Sequence, residues 1–189
     1  MLDSTLKDYI KIYKKFYDVE FCKDVVKQLD EANWVEHYFY NPNTKSSVSY
    51  ENELSTSYDS ILSKKILDEK IWHVLNKYVK EDFKHFESWF SSWSGYTFCR
   101  FNKYDPSTQM KLHCDHIHSI FDGNNKGVPV LTVLGALNEE YDGGEFLLCE
   151  KEFELNTGDV IVFPSNFLYP HEVKPVKSGI RYSFVSWAW

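Results

Sequence analysis

The chain has 189 residues and a formal net charge of −7 at pH 7, with 43% hydrophobic and 17% aromatic residues. This composition excludes a disordered chain and suits a domain with a sizeable core. The acidic charge makes nucleic acid an unexpected partner, and no apolar run is long enough for a membrane span. Four scattered cysteines without a CxxC pair favour reduced thiols, and therefore a cytoplasmic protein, in the host cytoplasm if a virus encodes it. The sequence does not indicate the oligomeric state.

The first half of the chain is predicted to be mainly helical. Asp18 is expected to cap a helix that runs to about Asn33. One face of that helix carries apolar residues at helical spacing, namely Phe21, Val25 and Leu29. Asp59 is expected to cap a longer helix to about Phe83. Its predicted apolar stripe comprises Ile61, Leu62, Ile66, Ile71, Leu75 and Tyr78. The polar segment 41–58 between the helices is predicted to be a long loop, either a lid or disordered.

After Gly95 the pattern changes to short strands separated by turn signals. The predicted strands span residues 96–104, 110–116, 129–138, 144–149, 152–155, 159–163, 171–174 and 180–189. Turns are predicted at residues 105–107, 122–125, 142–144, 156–158 and 177–179. About eight short strands at this spacing favour a sandwich, a barrel or a jelly roll. We expect one α+β domain over residues 1–189, in which a mainly helical first half, residues 1–94, supports a β-rich second half, residues 95–189.

The triplet His113-Cys114-Asp115 has the spacing of a metal site. Residues two apart in a strand point to the same side, so His113 and Asp115 are expected to share a face. Together with one distant histidine, such a pair forms the 2-His-1-carboxylate triad that holds non-haem Fe(II). His171 is the candidate for the third ligand. We expect no ligand role for His37, His73 and His85. His116 and His118 follow the triplet closely and are alternative ligands, but neither is followed by a carboxylate two residues later, as His113 is.

An arginine lies inside the apolar run 180–185. Burying the guanidinium of Arg181 is costly unless it meets an anion, and its planar fork matches a carboxylate. Ser183 shares a strand face with Arg181 and can donate its hydroxyl to the same group. The order of these residues along the chain therefore indicates a metal site with an anchor for an acidic co-substrate.

From about Gly95 to Trp189 the chain resembles the prolyl-4-hydroxylase-like family of 2-oxoglutarate/Fe(II) dioxygenases. The resemblance is carried by Arg100-Phe101-Asn102-Lys103-Tyr104, His113-Cys114-Asp115, Leu137-Asn138, Asp142-Gly143-Gly144-Glu145-Phe146, Gly158-Asp159 leading to Phe163, Pro170-His171-Glu172-Val173, and Arg181-Tyr182-Ser183 through Trp187. It implies a double-stranded β-helix, a jelly-roll or cupin-like core, braced by the N-terminal helices. It also implies a catalytic iron bound by His113, Asp115 and His171.

The resemblance further implies a site for 2-oxoglutarate. Arg181 would hold the distal carboxylate, and Tyr104 matches a position whose phenol often assists in binding. Trp187 matches an aromatic residue close to the metal in some relatives. The sequence departs from the family where some members place a tyrosine beside the arginine, because Ala136 stands at about this position. The residues left as possible substitutes are Ser183, Tyr104 and Thr132.

The implied reaction is hydroxylation of a protein or peptide, with prolyl residues as the favoured target. It would use Fe(II) and O2, convert 2-oxoglutarate to succinate and CO2, and take ascorbate as a reductant. The alternatives are a dioxygenase that acts on a free amino acid, a small metabolite or an alkylated base, and a non-catalytic jelly-roll binding or sensor module. Loops around the barrel mouth are expected to select the substrate, namely 41–58, 105–109 and 117–128.

Overall fold

A computed structural model describes residues 5–41, 44–90, 95–115 and 129–189. The α-helices in these ranges are α1 (Val19–Leu29) and α2 (Lys64–Asn76). A π-helical turn, Lys77–Asp82, continues α2, and 3-10 segments lie at Leu6–Tyr9 and Lys84–Phe90. No helix among the described residues combines the length and the apolar character needed to cross a membrane.

The prediction for the first helix is confirmed at its start, although α1 ends at Leu29 and not near Asn33, and the prediction for the second helix is wrong at its start. Asp18 caps α1 by accepting a 2.9 Å hydrogen bond from the backbone N–H of Glu20. Asp59 instead accepts hydrogen bonds from the backbone and side-chain amides of Asn33, at 2.6 and 3.1 Å. The helix α2 begins only at Lys64. Leu62 therefore precedes the helix and is 92% exposed, whereas the sequence predicted it in the apolar stripe.

Fifteen short strands lie in the described ranges. They are β1 (Lys11–Tyr13), β2 (Val35–Glu36), β3 (Phe39–Asn41), β4 (Ser46–Val48), β5 (Ser55–Ser57), β6 (Arg100–Tyr104), β7 (Met110–His113), β8 (Leu131–Ala136), β9 (Tyr141–Gly143), β10 (Phe146–Leu148), β11 (Lys151–Glu152), β12 (Val160–Pro164), β13 (His171–Val173), β14 (Val176–Gly179) and β15 (Arg181–Ala188). A seven-stranded sheet has the order β1-β12-β8-β15-β6-β5-β2, and a four-stranded sheet has the order β11-β10-β13-β7. Two further pairs are β14-β9 and β3-β4.

The two larger sheets are joined by an inner core, and helices cover the outside of the larger one. Leu134 of β8 and Phe163 of β12 pack with Phe146 of the smaller sheet in one buried cluster. Val133 of β8, one residue earlier, belongs to a second cluster that contains Leu29 of α1 and Ile71 of α2. Alternate residues of a strand point to opposite faces, so each central strand serves both cores. The α+β prediction of a double-stranded β-helix core braced by helices is confirmed.

Several predicted loops and turns contain strands. β4 and β5 lie inside the segment 41–58, which was predicted to be a loop, and residues 42–43 of that segment lie outside the described residues. β9 and β14 pair with each other across two predicted turns, at 142–144 and 177–179. The predicted turn at 122–125 and the predicted loop 117–128 lie outside the described residues.

Candidate functional site

Three side chains that can ligate a metal converge between the two larger sheets. His113 ends β7, Asp115 lies in the bend that follows, and His171 begins β13. The antiparallel register places His171 directly opposite His113. The ligand atoms of the three residues all lie within 4.8 Å of one another. The structure thus brings together the trio that the sequence singled out.

Backbone carbonyls orient both imidazole rings. Nδ1 of His113 lies 2.7 Å from the carbonyl oxygen of Lys111, and Nδ1 of His171 lies 3.1 Å from that of Tyr169. A carbonyl only accepts hydrogen bonds, so each Nδ1 carries a proton, and in the neutral ring this tautomer leaves the lone pair on Nε2. The two Nε2 atoms lie 3.5 and 3.6 Å from the carboxylate oxygens of Asp115. This set of two imidazole nitrogens and one carboxylate suits a divalent transition metal.

Two hydroxyl groups form a short hydrogen-bonded chain that ends on the carboxylate of Asp115. Thr132 of β8 donates a 2.7 Å hydrogen bond to Oδ2 of Asp115, and its oxygen lies 2.7 Å from Oγ of Ser165. Thr132 has a single hydroxyl proton, so Ser165 must donate to Thr132. From the sequence, Thr132 was expected only as a possible co-substrate partner, and Ser165 was missed because it stands in no motif.

The electrostatics of the site favour an ionised Asp115 carboxylate and a neutral His171 imidazole. Burial alone raises the pKa of Asp115, but His171 and His113 together with the Thr132 hydrogen bond outweigh it, so the pKa lies well below its usual range. Burial lowers the pKa of His171, and His113 adds to this effect, while Asp115 partly opposes it. These are the protonation states in which carboxylates and histidines bind metals.

Aromatic rings enclose the imidazoles. Phe163 packs edge-on against His171, with ring centroids 5.1 Å apart, and Phe146 lies 6.0 Å away. Phe39 of β3 packs edge-on against His113 at 6.0 Å. The β3–β4 hairpin, which begins just before the predicted lid segment 41–58, therefore lies against one of the three side chains.

Arg181 lies at one end of the site and is buried, with 2% of its surface exposed. Its guanidinium lies 4.9 Å from the ring centroid of Tyr104 and 5.9 Å from that of Tyr141, and Nη1 donates a 3.3 Å hydrogen bond to Ser183. Within the described part of the chain, its Nε has no hydrogen-bond partner and Arg181 takes part in no ion pair. A buried guanidinium with no anion is costly, so this end of the site suits an anionic ligand.

The residues expected around Arg181 lie close to it. Tyr104 is its register partner across β6 and β15, and Ser183 lies opposite Ala136 across β15 and β8. The structure adds Tyr141, a phenol beside the guanidinium that was not predicted from the sequence. No motif indicated Tyr141, because it lies beside a predicted turn.

The cavity at the trio is lined by Tyr104, Trp187 and Arg100 in addition to the three ligating side chains. Nε1 of Trp187 is buried and has no hydrogen-bond partner among the residues that the structure describes. Arg181 lies in an adjoining cleft, and Phe146 lines both spaces. The candidate site thus consists of two neighbouring spaces, one at the trio and one at Arg181, which share Phe146 in their lining.

A buried histidine and a buried glutamate also lie close together near the site. His37 and Glu53 are both buried, with Nδ1 of His37 3.8 Å from a carboxylate oxygen of Glu53. Burial is the main cause that lowers the pKa of His37 to about 3, and burial also raises the pKa of Glu53. Glu53 was not singled out from the sequence, because it lies in the segment predicted to be a loop.

Comparison with known proteins finds matches to the C-terminal half of the chain. Residues 99–189 match the model of the 2OG-Fe(II) oxygenase superfamily. A PKHD-type hydroxylase of Prochlorococcus marinus strain MIT 9312 is 37% identical over 76 residues, which are 38% of this chain and 34% of that protein. A PKHD-type hydroxylase of Crocosphaera subtropica is 31% identical over 94 residues, which are 47% of this chain and 40% of that protein. The matches therefore span well under half the length of these relatives.

Solved structures match nearly the whole chain at low sequence identity. The viral collagen prolyl hydroxylase of Paramecium bursaria Chlorella virus-1 has a TM-score of 0.66 at 16% identity, covering 95% of this chain and 94% of that one. A Trichoplax adhaerens prolyl hydroxylase, solved with a hypoxia-inducible-factor peptide fragment, has a TM-score of 0.64 at 20% identity, covering 96% of this chain and 84% of that one. These likenesses show a shared fold. Residues 99–189, which match the model of the 2OG-Fe(II) oxygenase superfamily, contain both the trio and Arg181, so the candidate site lies within the part of the chain that is similar to this superfamily.

Proposed function

We propose that this protein is an Fe(II)- and 2-oxoglutarate-dependent dioxygenase that hydroxylates prolyl residues of a protein or peptide. The observation that carries the proposal is the trio of His113, Asp115 and His171 beside a buried, unpaired Arg181. Such a set offers three ligands for the metal and one cation for an acidic co-substrate.

The residues present fit both groups that the family uses. His113, Asp115 and His171 would hold Fe(II), with their Nε2 lone pairs and carboxylate already turned inward. Arg181 would bind the distal carboxylate of 2-oxoglutarate, with Ser183 and Tyr104 beside it. The iron supplies the activation of O2 that C–H hydroxylation requires.

The protein itself supplies ligand orientation and shielding from water. The carbonyls of Lys111 and Tyr169 hold the imidazoles, and Thr132 holds Asp115. Phe163 and Phe146 exclude water from the side of His171. Trp187 lines the cavity, as expected for an aromatic residue near the metal.

The activities named for similar solved structures support a peptide substrate. The viral and Trichoplax neighbours are prolyl hydroxylases, and the latter was solved with a peptide fragment. We place the protein in the cytoplasm, since its four cysteines are free thiols, and we propose ascorbate as the reductant that keeps the iron ferrous.

The test is succinate formation by the purified full chain, supplied with Fe(II), O2, 2-oxoglutarate, ascorbate and proline-containing peptides. We expect turnover by the wild type, none by His171→Ala, and a peptide product heavier by one oxygen atom. Arg181→Met should raise the KM for 2-oxoglutarate at least about tenfold, because charge-assisted hydrogen bonds are lost. Absence of Fe(II)-dependent succinate across a broad peptide and amino-acid screen would refute the proposal and favour a non-catalytic binding module.

A further inference from the structure

A second guanidinium lines the cavity at the trio, and the proposed chemistry does not use it. Arg100 of β6 lies with its guanidinium 4.9 Å from the ring centroid of Trp187. Its Nε donates a 3.1 Å hydrogen bond to Oδ1 of Asn102. The ion pairs found in the described ranges do not include Arg100. The side chain is therefore held at two points while its charge has no carboxylate partner within those ranges.

Arg100 and Arg181 lie toward opposite ends of the site. Arg181 pairs in register with Tyr104, whereas Arg100 pairs with Val185. Arg100 and Tyr104 share a face of β6 and are four residues apart, about 13 Å along the strand. This separation exceeds the length of 2-oxoglutarate, whose carboxyl groups are joined by only three carbons. A co-substrate anchored at Arg181 therefore leaves Arg100 available for another anion.

The end occupied by Arg100 is the end at which Asp115 is held. Trp187, whose ring the guanidinium contacts, is the register partner of Thr132, and Thr132 donates its hydroxyl proton to Asp115. A group bound by Arg100 would consequently lie beside the metal position and away from the 2-oxoglutarate anchor. This is where a primary substrate must enter for its C–H bond to reach the reacting centre.

We infer that Arg100 is a specificity-determining residue that binds a carboxylate of the primary substrate. The inference rests on the proposed function. The contact with the Trp187 ring and the bond to Asn102 hold the guanidinium in place and leave its two Nη groups for a bidentate contact. The carboxylate can come from an acidic side chain next to the hydroxylated residue, or from the α-carboxylate of a free amino acid or a peptide C-terminus.

The experiment uses the full chain with Fe(II), 2-oxoglutarate and two sets of probes. The first is a proline-centred peptide library with randomised flanking residues, prepared both as free acids and as C-terminal amides. The second is the pair L-proline and L-prolinamide. Hydroxylated products are identified by mass spectrometry, and selected acidic peptides are paired with their Asp→Asn or Glu→Gln counterparts. Equilibrium binding of each pair is measured without O2, so that affinity is read independently of turnover.

For the wild type we expect a preference of at least about tenfold for the carboxylate member of one pair. This factor corresponds to the loss of one charge-assisted hydrogen bond in the uncharged member. Enrichment of Asp or Glu at a fixed library position would assign the side-chain source. A preference for free acids over amides, or for L-proline over L-prolinamide, would assign the α-carboxylate. Arg100→Met should abolish the preference in both turnover and binding, and Arg100→Lys should keep some of it.

Lys103→Met is the matched control, because it removes one positive charge from the opposite face of the same strand, where Lys103 pairs with Asp105. This variant should keep the wild-type preference. The inference is overturned if the wild type does not distinguish the paired probes, or if Arg100→Met distinguishes them as the wild type does. The proposed function fails by a different result, namely no Fe(II)-dependent succinate with any probe.

Discussion

The hydroxyl of Thr132 determines how firmly Asp115 is held. Because its one proton goes to Asp115, the lone pairs of Thr132 are left to accept from Ser165, and the three groups form a chain with a single direction. Groups behind a ligand fix its orientation and its basicity, and they influence metal affinity almost as strongly as the ligands do. Neither hydroxyl needs to touch the metal to have this effect.

Thr132→Val is therefore expected to weaken binding of Fe(II), or of Mn(II) as an air-stable substitute, by about 10–100-fold. The valine keeps the shape of the side chain but leaves Oδ2 of Asp115 without its donor. Ser165→Ala should weaken binding in the same direction but less, because Thr132 can still donate to Asp115. The measurement is a metal titration by calorimetry, with thermal unfolding to verify the fold. Equal affinity of Thr132→Val and the wild type would contradict this role.

At the scale of elements, strand register assembles the site. The pairing of β13 with β7 places His171 opposite His113, and the pairing of β15 with β6 places Arg181 opposite Tyr104. A shift of one residue in either pair would turn these side chains to the other face of the sheet. The turns that fix the register consequently contribute to the site's stability, although they are remote from it.

Gly158, in the turn before β12, offers a direct test of such a position. It has φ +86°, its carbonyl accepts a 3.0 Å hydrogen bond from the backbone N–H of Tyr17, and an added Cβ would lie 2.2 Å from the carbonyl oxygen of Tyr17. Gly158→Ala is expected to reduce the free energy of unfolding by about 2–4 kcal/mol, because backbone strain adds to a clash with main chain that cannot rotate away.

Gly95→Ala is the matched control, since its Cβ would lie 3.5 Å from the ring of Trp189, an ordinary contact distance. Urea unfolding should show a large decrease in the free energy of unfolding for Gly158→Ala and only a small change for Gly95→Ala. Similar midpoints for the two variants would show that the turn tolerates a side chain and that the strain argument is wrong.

Local patterns were sufficient to predict the helical cap at Asp18, most strands and the pairing of His113 with Asp115. His113 and Asp115 are two residues apart, which predicted a shared side by strand alternation, although Asp115 lies in the bend that follows β7. His171 and Arg181 could be assigned to the site only from the ordered set of motifs, because their positions depend on pairing between strands that are distant in sequence. Features set by tertiary contacts were not predictable, such as the Asp59 contact with Asn33 and the pairing of β9 with β14 through glycine-containing segments.

For the whole molecule, the segment that matches the family model does not contain the whole core. β1, β2 and β5 come from the first half of the chain, and β1 and β5 pair directly with β12 and β6. The helices α1 and α2 cover the outer face of the seven-stranded sheet, where Val162 and Phe184 are fully buried. The helical and β-rich halves therefore share one sheet and one core, which favours our proposal of a single domain over residues 1–189.

This proposal predicts that residues 95–189 alone do not fold. Without the first half, the sheet loses β1, β2 and β5, and exposes the apolar face that contains Val133, Val162 and Phe184. Burial of each such side chain contributes about 1.5–3 kcal/mol, and their combined loss is large relative to the roughly 5–15 kcal/mol that stabilises a typical domain. The fragment should show no cooperative unfolding and no dispersed amide spectrum, whereas the full chain should unfold in one transition. A folded fragment that binds Fe(II) with the affinity of the full chain would instead make the helical half a separate, dispensable support.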